Sequence, residues 1–524
     1  MTQKVESPET VGRWWALAAL AFSMLTVGLD MTVLNVALPT LASELDASTS
    51  EMQWFGASFT LVLGALIIPM GGLGDRLGRK RLLLGGLVLF GIASAACAFA
   101  ESAGDLIVAR AVQGIGGAAM IPLSLAMLPV LFADRDERMR AMNIWVTCSA
   151  VGLPLGPIVG GWLLAHFAWG WVFLINAPMV AVGVLALAIF LPETRSEKSQ
   201  PVDLPGIVLS SAALVSATFG LIRAGDEGWS DVTALCTIAT GVVVLVGFVL
   251  WERRSIHPVV DLSLFRSREF MVGTTLSTVA NFALFGLLFV MPQYFQDIGG
   301  SDPLETGIRL LPMIGGMMVA TRVGPRLVKS VGPRLLVIGG LCVSALAFGQ
   351  AATTDIGTSF AFTASWITLL GVGIGLVMPA SMSIAMGALS VDRAGAGAGL
   401  LQALRQIGGT VGVAILGTVL STAYHSKLDD GTVPAAAEGA VRPGIGVAVN
   451  FAYGIGDNAL VTTVKGAFVH GMASVFLASV AITVLGVMLA VFGLPRRVSR
   501  APGPIPTAST PNSNAEDGEV RVDR

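Results

Sequence analysis

Charged side chains are scarce in this chain: Asp, Glu, Lys and Arg make up only 13% of its 524 residues, whereas 54% are hydrophobic. A soluble globular protein carries about 25% charged residues. Together with a mean hydropathy of +0.77, this scarcity excludes a soluble fold and predicts a polytopic membrane protein. The charges, with a net value of −2, stand in short segments between apolar stretches, so we expect no nucleic-acid partner.

Residues that build catalytic or metal sites are also few. The four cysteines (Cys97, Cys148, Cys236 and Cys342) stand in apolar segments, and no CxxC or Cys/His spacing joins them. We therefore expect neither a disulfide nor a metal site. The sequence has no paired histidines, HExxH motif, Ser/Lys dyad or large soluble domain, which counts against an intramembrane enzyme or a receptor. We expect no enzymatic activity and no cofactor.

What the chain has instead is a succession of long apolar segments, each near the roughly 20 residues that a transmembrane helix needs. We count fourteen such spans. They cover residues 14–38, 52–73, 82–100, 105–128, 141–165, 171–191, 204–223, 231–251, 270–295, 304–325, 334–353, 359–387, 395–422 and 464–494.

Lysine and arginine are distributed unequally between the two sides of these spans. With residues 1–13 on the inner side, 25 of the 32 Lys and Arg residues fall on that side, and five fall on the opposite side. The positive-inside rule then places both termini in the cytoplasm of a cell with this protein in its inner or plasma membrane. Arginine outnumbers lysine 26 to six, which indicates a GC-rich bacterial genome.

The apolar segments contain an internal repeat. A Gly-x-Gly-x5-Pro pattern at 114–122 recurs at 371–379, and three spaced glycines at 152–161 recur at 408–417, at an offset of about 256 residues. Chance similarity of glycine-rich helices is the alternative, but the shared order and offset favour two related halves of six spans. Spans seven and eight are then an insertion, and we expect a substrate site between the halves near the midplane.

The predicted domain organisation follows from this repeat. It comprises a cytoplasmic N-terminus (1–13), an N-terminal six-helix bundle (14–191), a linker with the two inserted spans (192–269), a C-terminal six-helix bundle (270–494) with a long outer loop (423–463), and a disordered cytoplasmic tail (495–524). The tail is rich in Pro, Ser, Asn and acidic residues, which is typical of disorder.

One acid stands out in the first span. Asp30 is the only charged residue between Arg13 and Glu44. A carboxylate at that depth costs several kcal/mol unless it is paired, hydrated or protonated. The simpler interpretation, an acid near a helix end that reaches the interface, is disfavoured because Asp30 lies well inside the span. The sequence therefore predicts a proton or cation site at Asp30.

The segment between spans two and three, residues 71–80, reads GGLGDRLGRK. It resembles the signature loop of the major facilitator superfamily, which is thought to latch the two halves in the outward-open state. The resemblance assigns this role to Gly71, Asp75, Arg76, Gly78 and Arg79. The glycines and the Asp-Arg pair indicate tight turns, close helix approach and a fixed ion pair, whereas Lys80 and Arg81 have a simpler interpretation as positive-inside anchors.

In this latch, the resemblance implies that the carboxylate of Asp75 faces the N-terminal end of a helix in the second half, where the helix dipole favours a negative charge. The corresponding segment of the second half, residues 322–334, keeps its basic residues but contains no acid. We therefore expect a latch on one side only.

Three further stretches resemble motifs of the drug:proton antiporters. Residues 29–39 are similar to the first-span motif with its acid, here Asp30, and residues 106–122 to the fourth-span motif with its buried arginine, here Arg110. The fifth-span antiporter motif, which permits close packing and a bend, corresponds to Gly152, Gly156, Pro157, Gly160 and Gly161. With fourteen spans, the chain resembles the QacA/EmrB-type multidrug exporters. The implied fold is the all-α major facilitator fold, with two six-helix bundles and two inserted transmembrane helices.

Helix geometry supports a pair between Asp30 and Arg110. At a rise of about 1.5 Å per residue, Asp30 lies roughly 24 Å along span one, and Arg110 lies roughly 7 Å below the outer surface in span four. With tilt, both share one layer of the outer half. Gln113 follows Arg110 by three residues, so it shares a similar face of the helix and joins the same network.

These observations predict a proton-coupled antiporter that exports small hydrophobic or amphipathic compounds, such as drugs, antibiotics or toxins, by alternating access. The proton gradient is the expected energy source. Its expected partners are a drug-like small molecule, protons and the lipid bilayer, and we expect a monomer. The alternative is proton-coupled uptake of a small metabolite, against which the fifth-span motif and the absence of sugar- or peptide-transporter signatures count.

The substrate cavity is predicted only in outline, because for each candidate residue helix packing is as good an explanation as substrate contact. The candidates are the polar and aromatic residues Asn35, Gln113, Asn143, Trp145, Asn281, Phe282, Phe285, Gln293, Tyr294, Trp366, Gln402 and Arg405, with Gln406 beside them. The later spans contain no deep acid, and Arg405 stands there instead, which disfavours dications and leaves neutral, monocationic and anionic substrates open. His470 in span fourteen is expected to be a hydrogen-bonded histidine between helices rather than a titrating group.

Overall fold

The computed structural model describes residues 10–195, 203–256, 258–389, 393–429 and 433–494 of this chain, and these residues form helices but no strand. The predicted disordered tail and residues 1–9 of the predicted N-terminus lie outside this part. The α-helices are α1 (Thr10–Glu44), α2 (Thr49–Leu77), α3 (Arg79–Ala98), α4 (Ala103–Leu131), α5 (Arg135–His166), α6 (Trp171–Leu174), α7 (Asn176–Phe190), α8 (Leu204–Glu227), α9 (Val232–Glu252), α10 (Arg268–Gln293), α11 (Pro303–Arg309), α12 (Leu311–Val331), α13 (Pro333–Ala351), α14 (Phe360–Gly387), α15 (Ala394–Leu428), α16 (Ala435–Val441), α17 (Ile445–Gly454) and α18 (Asn458–Gly493).

Each predicted span coincides with one of these helices or with a broken helix. Span six is divided into α6 and α7, span ten into α11 and α12, and α10 continues into a π-helical turn at Tyr294–Ile298. Within the described residues, twelve helices are long and apolar enough to cross a bilayer. The helices α5 and α12 are not among them: of α5 only Leu155–His166 counts as a shorter apolar helix, and α12 carries three basic residues in its second half. The count of fourteen spans stays a prediction.

Helix packing repeats between the two halves of the chain. In the first half, α1 packs on α5, α2 and α3 pack on α4, and α7 packs on α1 and α3. In the second half, α10 packs on α15, α12 and α13 pack on α14, and α18 packs on α10 and α13. The all-α architecture of two related six-helix sets is therefore confirmed, and the repeat seen in the glycine patterns is a repeat of helix contacts.

The two ends of the bundle are distinguished by the chain termini. We call the end near Arg13, Gly78 and Leu494 the terminal end, and the end near Glu44 and Asp457 the distal end. The helices α8 and α9 form a hairpin, and α8 packs on both α2 and α15, which belong to different halves. The inserted hairpin therefore covers one side of the seam between the halves.

A hydrogen bond and a close backbone approach hold the hairpin against α15. The Thr418 hydroxyl donates to the Leu221 carbonyl oxygen over 2.7 Å. A Cβ on Gly225 would lie 2.9 Å from the Cα of Thr418, so α8 approaches α15 here as closely as only glycine allows.

The long outer loop is shorter than predicted. The helix α15 continues to Leu428 and α18 begins at Asn458, so the predicted loop at 423–463 shrinks to the segment between them, which contains α16 and α17. This segment crosses to the first half, where the Pro443 carbonyl oxygen accepts from the Thr49 amide over 2.8 Å. The segment therefore covers part of the distal end.

Glycine contacts join the two halves near the distal end. A Cβ on Gly161 of α5 would lie 2.5 Å from the Pro303 carbonyl oxygen of α11, and Gly307 contacts the Pro157 carbonyl oxygen in turn. The related position in the second half, Gly417 of α15, lies against the Gln53 side chain of α2. The seam is thus closed on both sides by pairs of helices that correspond in the repeat.

The other glycines of the fifth-span motif fix the position of α1. Gly152, Gly156 and Gly160 follow one another along the face of α5 that packs on α1. A Cβ on Gly156 would overlap Thr32 and would lie 2.8 Å from the Val33 backbone nitrogen. Since Asp30 precedes Thr32 by two residues, this contact sets where the embedded acid lies.

We expect Gly156→Ala to destabilise the protein, because the added methyl group has no space between α5 and α1. Overpacking of this kind costs about 1–3 kcal/mol. The matched control is Gly339→Ala on α13, where no atom lies within 4 Å of the added Cβ. The melting temperature of purified protein in detergent should fall for Gly156→Ala and stay constant or rise slightly for the control. An equal effect of both substitutions would contradict the packing argument.

Candidate functional site

Asp30 and Arg110 form a buried ion pair between α1 and α4. Arg110 NH1 donates to Asp30 Oδ2 over 2.6 Å, and both side chains are 1% exposed. Two amides complete the site, since Gln113 Nε2 and Asn176 Nδ2 each donate to Asp30 Oδ1 over 2.8 Å. The carboxylate therefore accepts three hydrogen bonds from three different side chains.

The guanidinium of Arg110 is held by partners other than Asp30. Its Nε donates to the Phe55 carbonyl oxygen over 3.2 Å, and NH1 also donates to Gln113 Oε1 over 2.8 Å. Its Cζ lies 4.6 Å from the centre of the Phe59 ring, a cation–π distance. Burying two charges costs several kcal/mol per ion, and it is tolerated only when the remaining donors and acceptors are satisfied.

Asn176 is the member of this site that sequence reasoning missed. It begins α7, and its Nδ2 donates to the Ser94 hydroxyl over 2.9 Å as well as to Asp30. Its Oδ1 is buried and has no hydrogen-bond partner in the described part of the chain. Rotation of this amide would present Oδ1 to Asp30, so the site contains an acceptor for a protonated carboxyl group as well as donors for a carboxylate. A lone Asn in an apolar span was the available signal.

A small cavity lies at the seam, between α1, α2 and α4 of the first half and α10 and α15 of the second. Its wall is mostly apolar, with Phe285 and Phe289 on one side. Polar atoms come from Asn35, Thr60 and Arg110. Asp30 does not line the cavity, so Arg110 stands between the acid and the cavity.

The structure places Asn35 and Phe285 of the predicted cavity residues on the wall of this cavity and places others elsewhere. Gln113 belongs to the Asp30 network instead. Trp366 is fully buried within the second half, where its ring packs on Phe476 at 5.3 Å. Trp145 Nε1 donates to the Ser124 hydroxyl within the first half, over 3.2 Å.

The remaining candidates lie outside the cavity wall as well. Gln293 donates to the carbonyl oxygen of its own helix at Phe289, and the Tyr294 hydroxyl donates to the Asp355 carbonyl oxygen near the distal end. Phe282 is buried against Gly412. The polar members Asn281, Gln402 and Gln406 cluster around Arg405 and the seam, toward the terminal end of α15. Asn143 belongs to α5, but its side chain lies outside the described part.

The expectation for His470 is wrong. Its side chain is exposed on the outer face of α18 rather than buried between helices. The apolar pattern of this helix is nearly uniform around its circumference, so the sequence did not indicate which face carries the histidine.

The predicted latch loop has its ion pair within one half. Asp75 Oδ1 accepts from Arg79 Nε over 2.8 Å, and Arg79 NH1 donates to the Ala126 carbonyl oxygen of α4 over 3.3 Å. The ion-pair partner of Asp75 is therefore Arg79, one helical turn later, whereas the adjacent Arg76 is exposed. Gly78, at φ 113°, allows the chain to pass from α2 into α3. The latch role of this loop stays a prediction.

A two-half helical membrane bundle with a buried charge pair beside a cavity at its seam is the architecture of a transporter rather than an enzyme. The family model of the Major Facilitator Superfamily matches residues 20–413, and the chain belongs to this superfamily.

Its relatives in this superfamily are bacterial resistance and export proteins. The chain is 31% identical to the tetracenomycin C resistance and export protein of Streptomyces glaucescens over 491 residues, which cover 91% of each protein. It is 34% identical to the multidrug efflux pump LfrA of Mycolicibacterium smegmatis, over 79% of this chain and 82% of that protein. It is 33% identical to the methyl viologen resistance protein SmvA of Salmonella typhimurium, over 79% of this chain and 84% of that protein.

Solved structures show the same fold. A bacterial homologue of the human lysosomal transporter Spinster, in an inward-facing and occupied conformation, has a TM-score of 0.69 to this chain at 17% identity, and the match covers 93% of this chain and 99% of that one. The twelve apolar helices and these similarities establish a multi-pass membrane protein.

We expect the two charges of the site to depend on each other for stability. Arg110→Met leaves the carboxylate of Asp30 buried without its cation, which typically costs 3–5 kcal/mol. Adding Asp30→Asn to that variant should restore part of the loss, because the buried charge is then gone. Thermal and denaturant unfolding in detergent for the two single variants and the double variant give the coupling free energy.

Arg309→Met is the matched control for this cycle. Arg309 donates to Glu305 over the same 2.6 Å, but the two side chains are 26% and 47% exposed. An exposed ion pair contributes about 0–1 kcal/mol. Arg309 also lies over the Phe295 and Phe360 rings, and such contacts contribute about 0.5–1 kcal/mol at exposed sites, so this control should lower the unfolding midpoint much less than Arg110→Met does. Strictly additive effects of Asp30→Asn and Arg110→Met would contradict the coupling.

Proposed function

We propose that this protein exports small hydrophobic or amphipathic compounds, including antibiotics and other toxic molecules, in exchange for protons that enter the cell. The proposal rests above all on one observation: the carboxylate of Asp30 is sealed in the first half and is joined by Arg110 to the wall of a cavity at the seam. The names of the bacterial relatives, which are resistance and efflux proteins, support the direction of transport.

In the proposed cycle, Asp30 exchanges a proton with each side of the membrane in turn. When the carboxylate is ionised, it holds the guanidinium of Arg110. Protonation removes the negative charge and weakens this link, so the guanidinium that already borders the cavity becomes available to other partners. Rotation of the Asn176 amide gives the protonated acid an acceptor, at the loss of the hydrogen bond from Nδ2 to Ser94.

Alternating access requires the seam to open at each end in turn. The contacts of Gly161 with Pro303 and of Gly307 with Pro157 hold the halves together near the distal end. Opening toward the distal side would separate these backbone contacts. In that state, Asp75 would turn from its bond with Arg79 toward a helix of the second half, as the latch prediction requires.

The proposal includes fourteen spans, both termini in the cytoplasm and a monomer in a bacterial inner or plasma membrane. One proton per cycle supplies about 3.7 kcal/mol at 100 mV and one pH unit. This free energy limits a neutral substrate to a concentration gradient of roughly several hundredfold, since about 1.4 kcal/mol corresponds to a factor of ten.

We expect Asp30→Asn to abolish proton movement that is coupled to the substrate. Tetracenomycin C, puromycin or methyl viologen would be added to proteoliposomes that contain a pH-sensitive dye. Each of these compounds appears in the name of a resistance protein related to this chain. With the parent protein, at least one compound should cause protons to move across the liposome membrane. The rate of this proton movement should fall more than tenfold with Asp30→Asn. The control is Glu101→Gln, because Glu101 is an exposed acid near the distal end.

Equal proton flux in the parent and Asp30→Asn would remove Asp30 from the coupling. The direction of transport is tested separately, in cells that express the parent protein. Cytoplasmic accumulation of the transported compound should rise when an uncoupler collapses the proton gradient. A fall in accumulation would overturn export and favour proton-coupled uptake.

A further inference from the structure

A second arginine inside the bundle, half-buried, has no part in the proton site. Arg405 belongs to α15, and Val413, eight residues later, lines the cavity. At about 1.5 Å per residue, Arg405 lies roughly 12 Å from Val413 along the helix, toward the terminal end. The next residue, Gln406, packs against Gly64 of α2, so this turn of α15 lies at the seam between the halves.

The guanidinium of Arg405 makes a single hydrogen bond in the described part of the chain. Its NH1 donates to Gln402 Oε1 over 3.2 Å, and its Nε is buried without an acceptor. No ion pair to Arg405 exists in the described ranges, whereas Arg110 is neutralised by Asp30. The nearby Asn281 donates to the backbone carbonyl oxygen of Arg405 and not to the guanidinium.

An arginine inside a membrane span without an ion-pair partner costs free energy unless another group binds its guanidinium. A guanidinium carries five N–H donors, and even the most permissive scale assigns several kcal/mol to an arginine at the centre of a membrane helix. Ionisable residues within membrane spans typically mark the path of a substrate or an ion. The cavity lies about two turns further along α15 and has no carboxylate in its wall, so the charge of Arg405 is not balanced from that side.

We propose that Arg405 binds the acidic group of the exported compound, a carboxylate or a phenolate, while the aromatic body of that compound occupies the cavity beside Phe285 and Phe289. The planar guanidinium suits a bidentate carboxylate. This inference rests on the proposed export function and names its substrate class: aromatic amphipathic acids. Export of such an anion and entry of a proton both follow the membrane potential.

The test is a binding measurement in detergent, where no gradient exists. The probes are 1-pyrenebutyrate and its methyl ester, which share the aromatic body and differ in the acidic group. The parent protein should bind the acid at least tenfold more tightly than the ester. Arg405→Gln should lose at least tenfold in affinity for the acid and less than twofold for the ester, and Arg405→Lys should retain part of the preference.

Arg322→Gln is the matched control, because it removes a positive charge from the terminal half of α12, where the side chain is exposed. This variant should bind both probes as the parent does. Size-exclusion profiles establish whether each variant is folded. If Arg405→Gln does not fold, the affinities of Arg405→Lys for the two probes are compared with those of the parent protein instead.

Two results would overturn the inference: equal losses for acid and ester in Arg405→Gln, which indicate a structural role, or a parent protein without preference for the acid. A phospholipid headgroup offers the same anionic chemistry, so the acid is also titrated against added phosphatidylglycerol. Displacement of the acid by the lipid, together with loss of lipid binding in Arg405→Gln, would assign the site to lipid and overturn a substrate site. Because the assay involves no proton movement, its outcome is independent of the Asp30→Asn experiment.

Discussion

The buried ion pair between Asp30 and Arg110 is the interaction on which the rest of this structure depends. It joins α1 to α4 at a place where both side chains are buried, so each charge needs the other. The supporting groups are contributed by other helices: Phe55 and Phe59 by α2, and Asn176 by α7. Four helices of the first half are therefore held in register by one pair of charges.

This arrangement explains why the glycines of α5 matter to a site that α5 does not enter. Asp30 has a fixed position only if α1 is fixed, and the close approach of α5 at Gly152 and Gly156 provides this. The second half repeats the packing, since Gly408 and Gly412 of α15 lie against α10, but it lacks the acid. The repeat thus preserves the scaffold in both halves and the titratable centre in one.

The sequence predicted the parts of this arrangement that depend on charge and helical rise. Asp30 and Arg110 were identifiable because a charge is conspicuous in an apolar span. Asn176 was missed because a neutral amide is not conspicuous in an apolar span. Its contact with Asp30 also depends on how α7 is rotated against α1. Trp366 and Gln293 were misplaced for the same reason: composition indicates that a residue is inside the bundle but not which neighbour it faces. Spans thirteen and fourteen were predicted shorter than the helices α15 and α18 that contain them, because both helices continue into polar sequence.

The inserted hairpin has a consequence for compounds that are dissolved in the bilayer. The helix α8 covers the side of the bundle where α2 meets α15, with Phe219 beside Trp54 at 6.4 Å and Leu221 bonded to Thr418. The opposite side, where α5 meets α11, has no such cover in the described ranges. A lipophilic molecule that approaches from the membrane plane thus meets two unequal flanks: one lies behind the α8 hairpin, and the other is closed by the contacts between α5 and α11 alone.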